Sequence, residues 1–337
     1  MRALYSDEEL LLHDSISSQA QKLIPTGVAD LQRFDDAETW RRLADGDLLG
    51  LGLPEEQGGV GTLLDATIVA IALANVIAPV PYIGSAVLPC RLLTTAGGSP
   101  DLIAQVIAGE LRIAVGFDAG LTRIAQLGRD EGALAWDSAG AAAALVIGAD
   151  RRLVAVAVGS PTPSFDLTRE IRTCEPTSVI DLGDLGTPLS DDSLVAWENA
   201  AMVMLAADTV GLMQGAVKMA VEHTAGRIQF GVPIGSFQAV QHLLAEAHVD
   251  AEGGRGLVNH AAWAVDHRPV SEAAGAAHLA KAYCASAGKK VCEAVIQVHG
   301  GMGMTWDSRV HLFQRRAMTD RMTLGDETVH HACIAQS

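Results

Sequence analysis

Two short segments in the C-terminal half carry residue types that could grip a phosphorylated ligand. In Arg227-Ile-Gln-Phe-Gly-Val-Pro-Ile-Gly-Ser-Phe-Gln-Ala-Val-Gln-His, the guanidinium of Arg227 can make paired, charge-assisted hydrogen bonds to a pyrophosphate. Phe230 offers an apolar face and Gln238 can satisfy polar edges. In Gln297-Val-His-Gly-Gly-Met-Gly, Gly300 and Gly301 fall just past a helix end, where a missing Cβ lets backbone approach a ligand. Gln297 lies one turn earlier on the same side. Singly, an arginine is more often a surface ion pair, a phenylalanine core and a glycine pair a helix cap. It is the combination that points to a binding site.

Groups for proton transfer are fewer. Glu198 and Glu327 are carboxylates in helical stretches, and Asp326 and Glu327 read most simply as residues capping a final helix. His330-His331 beside Glu327 does not make a metal site, because adjacent histidines on a helix point apart. Gly50-Leu-Gly-Leu-Pro-Glu is not a dinucleotide fingerprint, since Pro54 and Glu55 break it and no βαβ unit surrounds it. No serine or cysteine pairs with a histidine in a nucleophilic arrangement.

The elements that must position these residues fall into three stretches. Residues 1–109 read as a helical domain: Leu10, Leu11, Ile16 and Leu23 begin it, Asp36 caps a helix through Trp40 and Leu43, and 66–78 forms a buried third helix. Residues 110–189 read as a small β domain, with runs such as Leu145-Val-Ile-Gly and Leu153-Val-Ala-Val-Ala-Val broken by Gly, Pro, Asp and Ser. Residues 190–337 return to long Ala-rich helices, expected over 197–227, 237–267 and 272–299, which pack best as a bundle. The fold class is α+β, mainly α.

Three signatures in this order resemble the acyl-CoA dehydrogenase family: Leu53-Pro-Glu-Glu-Gln-Gly-Gly-Val-Gly, the Arg227 segment and the Gln297 segment. The resemblance implies an N-terminal helical domain, a middle β domain and a C-terminal four-helix bundle. It also implies that Arg227 holds the pyrophosphate of FAD, Phe230 and Gln238 the adenosine end, and Gln297, Gly300 and Gly301 the phosphates, all on a neighbouring subunit's cofactor.

The family reaction removes an α-proton from an acyl-CoA thioester with a glutamate while the β-hydrogen leaves as hydride to the flavin. Two placements of that glutamate are known in the family. One falls here on Leu324, in Leu324-Gly325-Asp326. The other, ten residues before the retained Gly211-Leu212-Met213-Gln214, falls on Ala201, followed by Met202. Neither can take a proton. In the β domain Cys174-Glu175-Pro176-Thr177 is a late echo of the family's Thr-Glu-Pro, and Trp136-Asp137-Ser138 lacks its partner motif. The resemblance therefore leads to the small, non-catalytic subunit of bacterial heterotetrameric (α2β2) dehydrogenases of the steroid-CoA type, with FAD shared at the interface and acyl-CoA reached through the partner. Two alternatives stay open: a self-sufficient flavoenzyme with Glu198 or Glu327 as a moved base, and a structural homologue that binds no flavin.

Composition sets outer limits. The chain has 337 residues, about half of them apolar, with 24 Lys plus Arg against 40 Asp plus Glu and a formal charge of −16. That balance opposes nucleic-acid phosphates and anionic lipids. Cys90, Cys174, Cys284, Cys292 and Cys333 are scattered and odd in number, as expected of reduced cytoplasmic thiols. The first residues lack the basic start and apolar core of a secretory signal. The longest apolar stretch, 66–78, is too short to span a bilayer.

Overall fold

The computed structural model describes residues 5–25, 27–31 and 33–336. The first four residues, part of the stretch read above against a secretory leader, lie outside them. Helix α1 (Asp7–Ala20) starts at a reciprocal capping box, Ser6 Oγ accepting from Glu9 N and Glu9 Oε2 from Ser6 N, which satisfies two otherwise orphaned donors. After the short α2 (Val28–Leu31) comes α3 (Ala37–Asp45), where the expected cap does not form. Asp36 spends its carboxylate on Arg112 Nη1 at 2.7 Å, and Asp35 Oδ1 takes the Ala37 N–H instead. A cation across the domain boundary outcompetes the local cap.

Helix α4 spans Leu63–Asn75, three residues earlier than the apolar run suggests, because Thr62 and Asp65 form its capping box. It stops where Ile77 turns left-handed (φ 57°) ahead of Pro79. A π-turn at Ile83–Val87, α5 (Leu88–Ala96) and α6 (Pro100–Ile107) complete the N-terminal helices. Five strands follow: β1 (Ile113–Phe117), β2 (Leu134–Trp136), β3 (Ala143–Ile147), β4 (Leu153–Thr162) and β5 (Ile171–Val179). They close into a barrel in the order β1-β2-β5-β4-β3, with β1 and β3 parallel and the other pairs antiparallel.

Four long or medium helices form the bundle: α7 (Asp191–Gly226), α8 (Gln238–His267), α9 (Val270–His299) and α10 (Val310–Met322). A last helix, α11 (Glu327–Ile334), packs on α9. The two-stranded β6 (Ile228–Gln229) and β7 (Val232–Pro233) bridge α7 and α8.

Helix α7 is the axis of the molecule. An 18-residue window within it has a mean hydropathy of 1.5, long and apolar enough to cross a membrane, so the sequence reading that placed the longest apolar stretch at 66–78 is corrected here. The window is 94 % buried, because α7 is wrapped by α4, α8, α9 and α10. The retained Gly-Leu-Met-Gln segment has a packing reason. A Cβ on Gly211 would come within 2.3 Å of the Ile71 carbonyl oxygen, and one on Gly215 within 2.0 Å of that of Asn75. Glycine lets α4 and α7 approach backbone to backbone.

Candidate functional site

One end of the bundle collects all six residues singled out by type and spacing. Arg227 ends α7 with its N–H on the His223 carbonyl at 2.9 Å. The His223 ring stacks on His299 with centroids 4.3 Å apart, tying the end of α7 to the last turn of α9, which carries Gln297 and leads into Gly300. Burial first, and then the neighbouring His299 and Arg227, lower the pKa of His223.

Beyond Arg227 the chain turns back through Phe230 and Gly231, both left-handed (φ 52° and 81°). Two successive positive φ values are what a tight hairpin needs to match strand twist. A phenylalanine in the first of these positions is unusual, since a Cβ disfavours it. The turn carries the Phe230 ring outward, 93 % exposed, with an edge contact to Phe237 at 6.2 Å. Phe237 is the N-cap of α8, so Gln238 follows at once; among the described residues its side-chain amide reaches His242 alone, at 3.5 Å.

Among the described residues, the Arg227 side chain has no ion pair or hydrogen bond, and Gln297 is exposed. Gly300 is left-handed (φ 62°), and a Cβ on Gly300 or Gly301 would meet nothing within 4 Å. The glycines therefore leave an open backbone edge and are not required by packing inside this chain. Ile228, Val232, Met302, Met304 and Trp306 add exposed apolar side chains on the adjoining segments.

The other chemically loaded region was missed in the sequence. Arg169, between β4 and β5, reaches across to the bundle: its side chain is 1 % exposed and pairs with Asp320 of α10, with Asp208 of α7 at 3.0 Å and with Asp137 at 3.8 Å. Arg316 of α10 holds Asp208 through two bonds of 2.6 and 2.8 Å and donates to the Ala78 carbonyl. The Arg169 guanidinium also lies over the Trp136 ring, 4.5 Å from its centroid. Burial raises Asp208, but Arg169 and Arg316 outweigh it and hold the carboxyl near about 2. Asp320 is pushed well up by burial and by the neighbouring Asp208 charge. Asp137, raised to about 6 by burial, accepts from Gly84 N at 3.0 Å and so also fastens the barrel to the π-turn.

Family models match on both sides of the barrel: the acyl-CoA dehydrogenase N-terminal domain over residues 6–107 and the acyl-CoA dehydrogenase C-terminal domain over residues 195–337. The Mycobacterium tuberculosis acyl-CoA dehydrogenase IpdE2 is 31 % identical over 326 residues, covering 92 % of this chain and 91 % of its own. The chain belongs to the acyl-CoA dehydrogenase family. Another M. tuberculosis member, the acyl-CoA dehydrogenase FadE27, is 29 % identical over 88 % of this chain and 86 % of its own. Among solved structures, the ChsE4-ChsE5 complex from M. tuberculosis superposes with a TM-score of 0.84 at 25 % identity, over 100 % of this chain and 98 % of that one.

With the acyl-CoA dehydrogenase fold in place, the positions that the sequence assigned to a missing base can be located. Ala201, Met202 and Leu324 are all buried, at 0 %, 4 % and 8 % exposure, within the same apolar core. Leu324 is itself left-handed and donates its N–H to the Leu121 carbonyl at 2.8 Å. Of the two alternative carboxylates, Glu327 is clamped by Arg321 through bonds of 2.6 and 2.7 Å, which lowers its pKa. Asp326 caps α11 by accepting from Thr328 N and Val329 N, as the sequence suggested. Glu198, partly buried on the turn before Ala201, is raised by burial alone. Trp136 is fully buried, and Cys174-Glu175-Pro176-Thr177 lies within β5, its residues from Glu175 onward exposed.

Proposed function

We propose that this chain is a subunit of a heteromeric acyl-CoA dehydrogenase, an α2β2 assembly in which it lacks the catalytic glutamate and lends the adenosine and pyrophosphate half of an FAD site to a catalytic partner. The observation that carries this reading is the contrast between two ends of one helix. Just past the end of α7, Arg227 and Phe230 stand exposed, and among the described residues the Arg227 side chain has no ion pair or hydrogen bond. Further back on the same helix, Ala201 and Met202 are sealed into the core.

The residues present fit the cofactor. Arg227 is a free planar cation for the pyrophosphate, Phe230 is an uncovered ring for the adenosine end with Gln238 beside it, and the open backbone at Gly300 and Gly301 next to Gln297 admits phosphates. FAD, when bound, supplies the hydride acceptor. This chain's residues anchor it from outside the reacting centre, while acyl-CoA, of steroid type, enters through the partner. Likeness to a structure of a two-component complex supports a heteromer, and the exposed apolar surface beside the hairpin supports a partner there.

The test is flavin retention by the co-purified complex. Arg227→Ala should strip FAD while leaving native mass unchanged; full flavin content in that variant would end the role given to Arg227.

A second reading, a self-sufficient enzyme, keeps one support: Glu198 has the burial-raised carboxyl a general base needs. It requires the chain alone to be yellow and to reduce a dye with some acyl-CoA, with Glu198→Gln abolishing that activity.

A further inference from the structure

The segment Leu53-Pro-Glu-Glu-Gln-Gly-Gly-Val-Gly has no part in the flavin reading. Its start and end, Gly52 to Pro54 and Gly61, line a cavity of about 430 Å³ between the N-terminal helices and the far end of α8. That size falls within the roughly 300–1,000 Å³ of small-molecule sites. Two opposite charges line the same cavity, Arg91 from α5 and Asp266 from α8.

Arg91 donates from Nη1 to the Gly52 carbonyl, an approach that a glycine permits: a Cβ at Gly52 would lie 3.3 Å from that nitrogen and 3.1 Å from the Leu63 Cα. Among the described residues, Nε and Nη2 of Arg91 have no acceptor. Asp266 accepts at Oδ2 from the first amide of α4, Leu63 N at 2.8 Å, and no ion pair joins it to Arg91. Burial lowers the one and raises the other, each only partly offset by its opposite across the cavity. Arg91 is half-buried and Asp266 stands exposed on the rim of the cavity, so both charges face the space between them without an opposite charge in contact.

The surroundings decide what kind of ligand suits the pair. A simple anion on Arg91 would sit beside the Asp266 carboxylate and the last carbonyls of α8, which carry the negative end of that helix. A simple cation at Asp266 would face the guanidinium. A molecule bearing both charges satisfies both walls. We propose that this cavity binds a small zwitterion, its carboxylate on the free edge of the Arg91 guanidinium and its ammonium against Asp266 and the carboxyl end of α8. Thr62 and His267, which line the same space, offer further polar contacts. The proposal is independent of the flavin reading.

Isothermal titration of the full chain with glycine, β-alanine and γ-aminobutyrate tests it, with acetate and methylammonium as single-charge controls. At least one zwitterion should bind at least tenfold more tightly than either control. Arg91→Gln and Asp266→Asn should each weaken it at least tenfold with the helical circular dichroism intact. Binding of none of the three zwitterions, equal binding of acetate or methylammonium, or binding that survives both substitutions overturns the proposal. Should Arg91→Gln not fold, the comparison of zwitterions with single ions on the unmodified chain decides alone.

Discussion

Replacing Arg169 by methionine should destabilise the fold in a way that depends on pH. The substitution keeps length and apolar packing but removes the cation shared by Asp320, Asp208 and Asp137. Asp208 keeps its two bonds to Arg316, so Asp137 and Asp320 are the groups abandoned. Breaking a buried pair by removing one partner costs on the order of 3–5 kcal/mol. A carboxyl that escapes by taking a proton limits that loss, and Asp137, already raised to about 6 in the parent, escapes most easily. Holding its proton through pH 7 costs about 1.4 kcal/mol against the parent at pH 7 and nothing at pH 5, where the parent already holds that proton. Over that window the variant keeps a proton that the parent sheds, so its deficit against the parent grows as pH rises. Urea unfolding of variant and parent should show a loss of at least about 1 kcal/mol at pH 7 and a smaller one at pH 5. No loss at pH 7, or equal losses at both pH values, would refute this reading of the cluster.

Three further outcomes follow from the same geometry. Gly215→Ala should cost about 1–3 kcal/mol, read by thermal unfolding, because the added methyl meets the Asn75 carbonyl; a neutral result would mean α4 and α7 can slide apart freely. His330 is fully buried between the Gly325 carbonyl at 3.1 Å and His278 at 2.9 Å, and burial holds its pKa at about 4. Its folded value is depressed, so the unfolded chain takes the proton first and stability is lost as pH falls from about 6.5 to about 4; His330→Gln should flatten that decline by about 3 kcal/mol, and an unchanged acid limb of the stability profile would contradict it. Glu327→Gln should cost no more than about 1 kcal/mol in urea unfolding, since the pair it breaks with Arg321 is partly exposed.

Much of the molecule was readable because long helices write their period and their stops into the chain. The three long C-terminal helices lie within a few residues of where Ala-rich runs, Gly231-Val-Pro-Ile-Gly and Arg268-Pro269 placed them. The hairpin residues were readable as a motif, although nothing local revealed that Phe230 would point outward from a left-handed position. The start of α4 was set by Thr62 and Asp65, and Asp36 was lost as a cap to Arg112, a partner 76 residues away. The charged cluster was not readable at all. Its members, Asp137, Arg169, Asp208 and the α10 pair Arg316 and Asp320, come from four separated stretches, and the single local hint is one aspartate inside the apolar run of α7. Barrel closure through the parallel β1–β3 pair is likewise a long-range fact, invisible to alternation within a strand.

We propose that this chain holds half of a flavin site and no more. Flavin absorbance and native mass, measured on the chain purified alone and on the chain co-expressed with a catalytic acyl-CoA dehydrogenase subunit, test it most directly. The protein alone should be colourless, and the co-expressed complex a yellow α2β2 assembly with one FAD per heterodimer. A yellow, active protein purified alone would contradict it.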